Sequence, residues 1–330
     1  MKTFLVINTS FFGDTLLTDP LCRNIKLEYP NAKVIFMVNK PFLEVAKYMD
    51  GVDEVLVYDK KGEHKGLAGF LHFYQMYKAK YNNKIDVAFV IYGNERGIML
   101  AKLFGTKKIY SDNTSIMRFL LNHSVIDYHG SVHTQDKHTV LFELYAGKKA
   151  QSLPMLYEPP NEAYTKVDFL LHKHHLKVED KCIALCTTSK RKEKDMPVEE
   201  CAKLINALNK LGKKVLYVGA GKAAVEYVQT LHRLDCTDFI DLTNQTTISE
   251  LAAVIKRCQV AVSVDTGTMH LICALHIPLL ALFYVQDRNH LNAWAPKNFY
   301  PHKLLVGERL SPESMMAEIK NLLKERDING

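Results

Sequence analysis

The chain has 330 residues, enough for two α/β domains of ordinary size, and with 47% hydrophobic and 24% charged residues it is neither disordered nor low in complexity. Its net charge of +7 suits anionic ligands or an anionic membrane surface, but spread over this length it is no argument for a nucleic-acid partner, and none is expected. Seven scattered cysteines, no charged segment leading into an apolar one at the start, and no apolar run of membrane-spanning length lead to the expectation of a cytoplasmic protein with reduced thiols.

In chain order, short apolar runs predict strands at 3–8, 33–38, 54–58, 85–91 and 107–110, and again at 182–187, 213–218, 238–242, 259–264 and 279–284. Helical patterns fill most gaps, among them 18–29, 197–211 and 249–257. Such alternation predicts parallel sheets covered on both faces, hence two Rossmann-like domains and a cleft between them. Residues 146–166 hold three prolines and little periodicity, and read as a linker.

Open α/β sheets bind ligands beyond the carboxyl ends of their strands, so the strand-end loops carry the candidate chemistry. The first reads Thr9-Ser10-Phe11-Phe12-Gly13-Asp14-Thr15. Gly13 permits close backbone approach, and Asp14 stands where a helix starts, as a base facing the ligand or as the helix cap. Residues 60–84 interleave lysines with Phe70, Leu71, Phe73, Tyr74 and Tyr77, a pattern for a basic amphipathic helix facing an anionic lipid-linked sugar or for a helix packed on the core. His133 and His138 lack carboxylate or cysteine partners at metal-like spacing.

The second loop, 188–197, offers two hydroxyls and four cations to diphosphate oxygens, or a solvated charged face. A third, Gly219-Ala220-Gly221 followed by Glu226, leaves room for a base or ribose, or is an ordinary turn. The most informative stretch is QVAVSVDTGTMHLICALHIPLLALF, residues 259–283. A β-branched run stops at Asp265-Thr266-Gly267-Thr268 and a helical pattern begins at once, so backbone N–H groups and the helix dipole face an anion, with a phosphate the natural guest. Asp-Thr-Gly also occurs in aspartic proteases, but those need two such loops in an all-β setting, and here one opens a helix. A nicotinamide oxidoreductase is disfavoured because no Gly-x-Gly-x-x-Gly follows the first strand.

Together these loops resemble glycosyltransferase family 9, the ADP-heptose:lipopolysaccharide heptosyltransferases. The resemblance runs from FLVINTSFFGDTLLTDPLCRNIKLEYPNAKVIFMV through ERGIMLAKLFGTKKI to SVDTGTMHLICALHIPLLALF, nearly the whole chain. It implies a GT-B fold whose two parallel sheets face a central cleft, with an acceptor-binding domain over residues 1–155 and a nucleotide-sugar domain over 156–330. The last helix is a candidate to pack back on the first domain. The family's general base falls on Asp14, and its diphosphate ligands on Thr187, Thr188 and Lys194 and on Thr266, Gly267 and Thr268. Asp265 falls where donor-sugar hydroxyls are held and Glu226 near the ribose, while Gly13 and His270 are counted with the donor site. Three positions depart from the family pattern: Met196 stands for an aromatic, Val264 for Asn and His276 for Gly.

The activity so implied is inverting transfer of a heptose from ADP-heptose to the inner core of a lipopolysaccharide precursor. Its partners would be the nucleotide sugar, a lipid A-core oligosaccharide and, peripherally, the cytoplasmic face of the inner membrane. Asp14 would take the acceptor proton while Lys194 and the Thr266–Thr268 loop stabilise the departing diphosphate. No Asp-x-Asp pair occurs, so neither metal nor cofactor is expected. Two alternatives stay open: the same fold with another nucleotide sugar for a surface glycan, and a non-catalytic nucleotide-binding relative, against which the presence of both Asp14 and Lys194 argues.

Overall fold

The computed structural model describes residues 1–125, 132–177, 180–285 and 287–329. The chain divides into two compact units, Met1–Leu156 and Tyr157–Gly330. In the first, β1 (Thr3–Asn8), β2 (Lys33–Asn39), β3 (Glu54–Tyr58), β4 (Val87–Val90), β5 (Lys108–Asp112) and β6 (His123–Val125) form a sheet in the order β3-β2-β1-β4-β5-β6. In the second, β7 (Cys182–Cys186), β8 (Lys214–Tyr217), β9 (Ile240–Asp241), β10 (Cys258–Val264), β11 (Leu279–Phe283) and β12 (His302–Val306) follow the order β12-β11-β10-β7-β8-β9.

Every pairing in both sheets is parallel. The central strands are unbroken apolar runs because helices cover both faces: Phe4 to Ile7 in β1 and Leu279 to Leu282 in β11 are shut off from solvent. Each unit has its own core. Leu5, Ile7, Phe73, Ile98 and Phe104 anchor the first, and Ile183, Leu204, Tyr217, Val262 and Leu280 the second.

Each sheet reverses its winding once, between β1 and β4 and between β7 and β10. The loops leaving those four strands therefore diverge to opposite faces and open a crevice at the carboxyl end, the place where doubly wound sheets take ligands.

Two edge strands, β6 and β12, are absent from the sequence reading, because HSV and HKLLV are half-exposed and lack a continuous apolar run. The linker is shorter than 146–166. Gly147, at φ 68°, closes the helix Thr134–Ala146, and Pro160 stands at the N-cap of a helix that starts at Asn161. Ala163, Val167 and Leu171, at i, i+4 and i+8, form its buried stripe, diluted in the sequence by the polar residues between them.

Within the second unit the last helix, Pro312–Asn329, packs on the sheet: Met315, Ile319 and Leu322 fill the second core, and Arg326 Nη1 donates to the Cys258 carbonyl at 2.8 Å. His276 stands at φ 55°, a left-handed position that favours glycine, the residue the sequence resemblance puts there. All seven cysteines are buried thiols, and burial pushes Cys182 up to about 11 and Cys201 to about 12, so none is a ready nucleophile. No helix among the described residues is long and apolar enough to cross a membrane.

Candidate functional site

At the first reversal, β1 ends in Asn8, whose buried amide donates to the Asp14 carbonyl (3.0 Å) and the Thr18 hydroxyl (2.9 Å). These bonds fold the Gly-Asp loop back over the strand end and start the helix Phe12–Leu17 early, with Gly13 and Asp14 buried in its first turn. The Asp14 carboxylate is 6% exposed and is gripped at both oxygens: Phe11 N–H donates to Oδ2 at 3.1 Å and the Tyr92 hydroxyl to Oδ1 at 2.6 Å. Both bonds fix the direction of the carboxylate.

Tyr92 follows β4 and adopts φ 58°, ψ 34°, a left-handed conformation that a bulky residue holds only when its surroundings impose it. Its ring meets His138 edge-on at 5.4 Å. His138 is 1% exposed, and burial drives its imidazole down to about 4, so it underlies the loop as a neutral ring. Beside the same strand ends, Asn94 Nδ2 donates to Thr9 Oγ1 (3.0 Å) and Lys60 Nζ to the Thr9 carbonyl (2.6 Å). These residues and Arg96 line a small cavity of about 60 Å³.

At the second reversal the basic loop turns through a short 3-10 segment, Lys192–Lys194, held where Ser189 N–H donates to Asp195 Oδ1 at 2.6 Å. Arg191 pairs with Glu193 on the surface, whereas Lys194 turns inward. Its Nζ lies 2.5 Å from Asp265 Oδ2, with the side chains 12% and 8% exposed. Asp265 follows β10 directly. Burial alone would raise its pKa, but hydrogen bonds from His290 and Lys194 outweigh that and hold it below the usual carboxylate range.

Thr266 is extended at the N-cap of the helix Gly267–Ala274 and its hydroxyl makes no capping bond, so the first-turn N–H groups lack that side-chain partner. Thr268 and His270 lie in this turn, His270 at 4% exposure.

Other expected residues are placed less directly. Thr188 sits at the end of β7, 9% exposed, but Thr187 is fully buried and bonds its hydroxyl to that of Tyr217 at 3.1 Å. The Gly219–Gly221 loop lies beside Thr188, and a Cβ on Gly219 would come within 2.8 Å of the Ala224 methyl, so the turn needs a glycine there. Glu226 is exposed and pairs with Lys222 at 3.5 Å, one helical turn back.

Three residues were not foreseen from the sequence: Tyr92; His290, whose Nε2 lies 2.5 Å from Asp265 Oδ2; and Trp294, whose ring is 6.4 Å from that of His290 and 6.1 Å from that of His270. Where the family has an aromatic, Met196 is buried in the core, and Trp294 brings an aromatic ring to the cluster from the helix Arg288–Trp294. Among the described residues no three His, Cys, Asp or Glu side chains gather as a metal-binding group.

Two doubly wound parallel sheets in two units are the GT-B class of architecture, here with buried polar clusters at both reversals. The sequence model of glycosyltransferase family 9 (heptosyltransferase) matches residues 81–302. The chain belongs to that family and is a glycosyltransferase. It is 23% identical over 294 residues to lipopolysaccharide heptosyltransferase 3 of Escherichia coli, covering 86% of this chain and 84% of that protein. A family 9 glycosyl transferase from Veillonella parvula has the same fold, with a TM-score of 0.88 at 21% identity over 98% of both chains. The E. coli heptosyltransferase WaaC with ADP gives a TM-score of 0.76 at 16% identity, over 97% of this chain and 99% of that one.

Proposed function

We propose that this glycosyltransferase moves a heptose from ADP-heptose to the inner core of a lipopolysaccharide precursor, with inversion and without a metal ion. The observation that carries the reading is the inward Lys194 beside the Thr266–Thr268 helix start, a cation and a set of N–H groups at the β7–β10 reversal. A relative named for lipopolysaccharide heptosyl transfer and a fold neighbour solved with ADP support the donor and acceptor classes.

In this reading residues 1–155 bind the acceptor and 156–330 the nucleotide sugar. The acceptor hydroxyl oxygen attacks the anomeric carbon as the bond to the diphosphate oxygen breaks, and the electron pair leaves with ADP. Lys194, Thr188, Thr266, Thr268 and the helix N–H groups stabilise the charge growing on that oxygen, and Asp14 takes the hydroxyl proton. Asp265 would hold sugar hydroxyls, and Gly13 would leave room beside the reacting groups. On the first unit, Leu67 and Leu71 are exposed on the helix Gly66–Tyr81, which also carries Lys78 and Lys80, and Ile116 and Phe119 are about four-fifths exposed. Apolar side chains among cations suit peripheral docking on the anionic cytoplasmic face of the inner membrane.

Incubation with a panel of nucleotide sugars and truncated core acceptors tests the reading. The expected product gains one heptose from ADP-heptose alone, at a rate unchanged by excess chelator. Transfer confined to another nucleotide sugar would replace the donor assignment, and activity lost to chelator and restored by Mg²⁺ would overturn the metal-free step.

A further inference from the structure

His290 belongs to no motif that marked the donor site in the sequence, yet its side chain joins a buried polar cluster there. Its Nε2 and Lys194 Nζ approach the same atom, Asp265 Oδ2, each at 2.5 Å, and stand 3.3 Å from one another. A carboxylate oxygen only accepts, so Nε2 carries a proton here, and two donors converge on one acceptor. All three side chains are at least 85% buried. The helix Arg288–Trp294 that presents His290 is capped by Asp287, whose side chain accepts from Asn289 N–H at 3.0 Å, and the imidazole is flanked by the rings of Phe283 (6.2 Å) and Trp294 (6.4 Å).

That arrangement bears on a conflict inside the donor site. Lys194 is paired with Asp265, yet the proposed reaction needs its ammonium on a diphosphate. An ammonium that leaves a buried carboxylate strands the charge behind it, and a lone buried charge is strongly destabilising. A second donor on the same oxygen removes most of that penalty. We propose that His290 is a positioning residue: it holds Asp265 in place as Lys194 turns to the donor diphosphate, and so sets how readily the site accepts a nucleotide diphosphate. The proposal rests on the nucleotide-sugar reading above.

ADP is the probe, and its dissociation constant is read by calorimetry. Trp294 is the chain's one tryptophan, so fluorescence gives an independent signal from inside the cluster. With Lys194 present, His290→Ala is expected to weaken ADP binding by about tenfold or more, and His290→Gln, whose amide still donates to a carboxylate, to recover most of it. With Lys194→Ala as background, where no ammonium has to be released, the same His290→Ala change is expected to alter ADP affinity by less than about twofold. Equal losses in both backgrounds would show that His290 contacts the nucleotide directly and would overturn the proposal, as would unchanged affinity in His290→Ala with Lys194 present. Wild-type protein that does not bind ADP would overturn the nucleotide reading itself, and this proposal with it.

Discussion

The Tyr92 hydroxyl donates to Asp14 Oδ1 at 2.6 Å, across 78 residues of sequence, and joins the loops of the two strands between which the first sheet reverses. A carboxylate so held is aimed before any substrate arrives, and positioning of this kind is what general-base catalysis needs. Asp14→Asn keeps the shape, removes the proton acceptor and leaves one neighbouring donor facing an amide N–H. Turnover should fall by about 10²-fold or more with ADP affinity nearly intact. Wild-type turnover in the folded variant would take Asp14 out of the mechanism.

Tyr92→Phe probes the other half of that contact. The ring and its packing on His138 stay, while Asp14 loses the donor at Oδ1. A lower kcat, by roughly tenfold, with an unchanged KM for the nucleotide sugar is the expected split, since a hydrogen bond to a charged group contributes about 1.5–3 kcal/mol and this one belongs to the unit proposed to bind the acceptor. If kcat stays at the wild-type value, the phenol is only a lid on the loop.

Lys194→Ala should behave differently, because in the proposed reaction the ammonium meets a group whose negative charge grows as the glycosidic bond breaks. Turnover and ADP affinity should drop together, turnover the more steeply. Calorimetry with unchanged ADP binding, together with an unchanged rate, would reduce the basic loop to a charged surface.

These predictions divide according to what sequence can reveal. Asp14, Lys194 and Asp265 were legible because each follows an unbroken apolar strand and stands among small or charged loop residues, and the strand ends of a parallel sheet are where ligands bind. His290 was not, because it reaches Asp265 from 25 residues further along, on a helix too short to show periodicity. Tyr92 owes its aim to a left-handed backbone that its residue type disfavours, and no local pattern announces that. Thr187 shows the opposite limit. The family resemblance puts a phosphate ligand at this position, whereas in the structure its hydroxyl is buried and bonded to that of Tyr217. The edge strands β6 and β12 were missed because a strand covered on one side only needs no continuous apolar run.

The buried His138 beneath the Asp14 loop yields a prediction about stability. Its imidazole lies at about 4 in the folded protein against 6.5 for a free one, and burial is the main cause. The folded chain therefore binds fewer protons here than the unfolded chain. The contribution is present in full above pH 6.5 and is lost as pH falls from there through about 4, on the order of 3 kcal/mol over that window. Asp19 acts in the opposite sense. Burial raises it to about 7 from 3.8, with Arg23 and the Leu156 N–H only partly offsetting, so its contribution is present at low pH and is lost as pH rises through 7. A raw pH–stability curve mixes the two, and a difference between variants separates them. His138→Gln should be less stable than wild type at pH 8, since its amide fills the site poorly, and the gap should shrink steadily as the pH is lowered from 6.5 to 4. Urea denaturation of both proteins at closely spaced pH values measures the gap directly. Parallel curves across the window would mean that His138 titrates in the folded protein as it does in the unfolded chain, and that the ring beneath Asp14 is not held neutral.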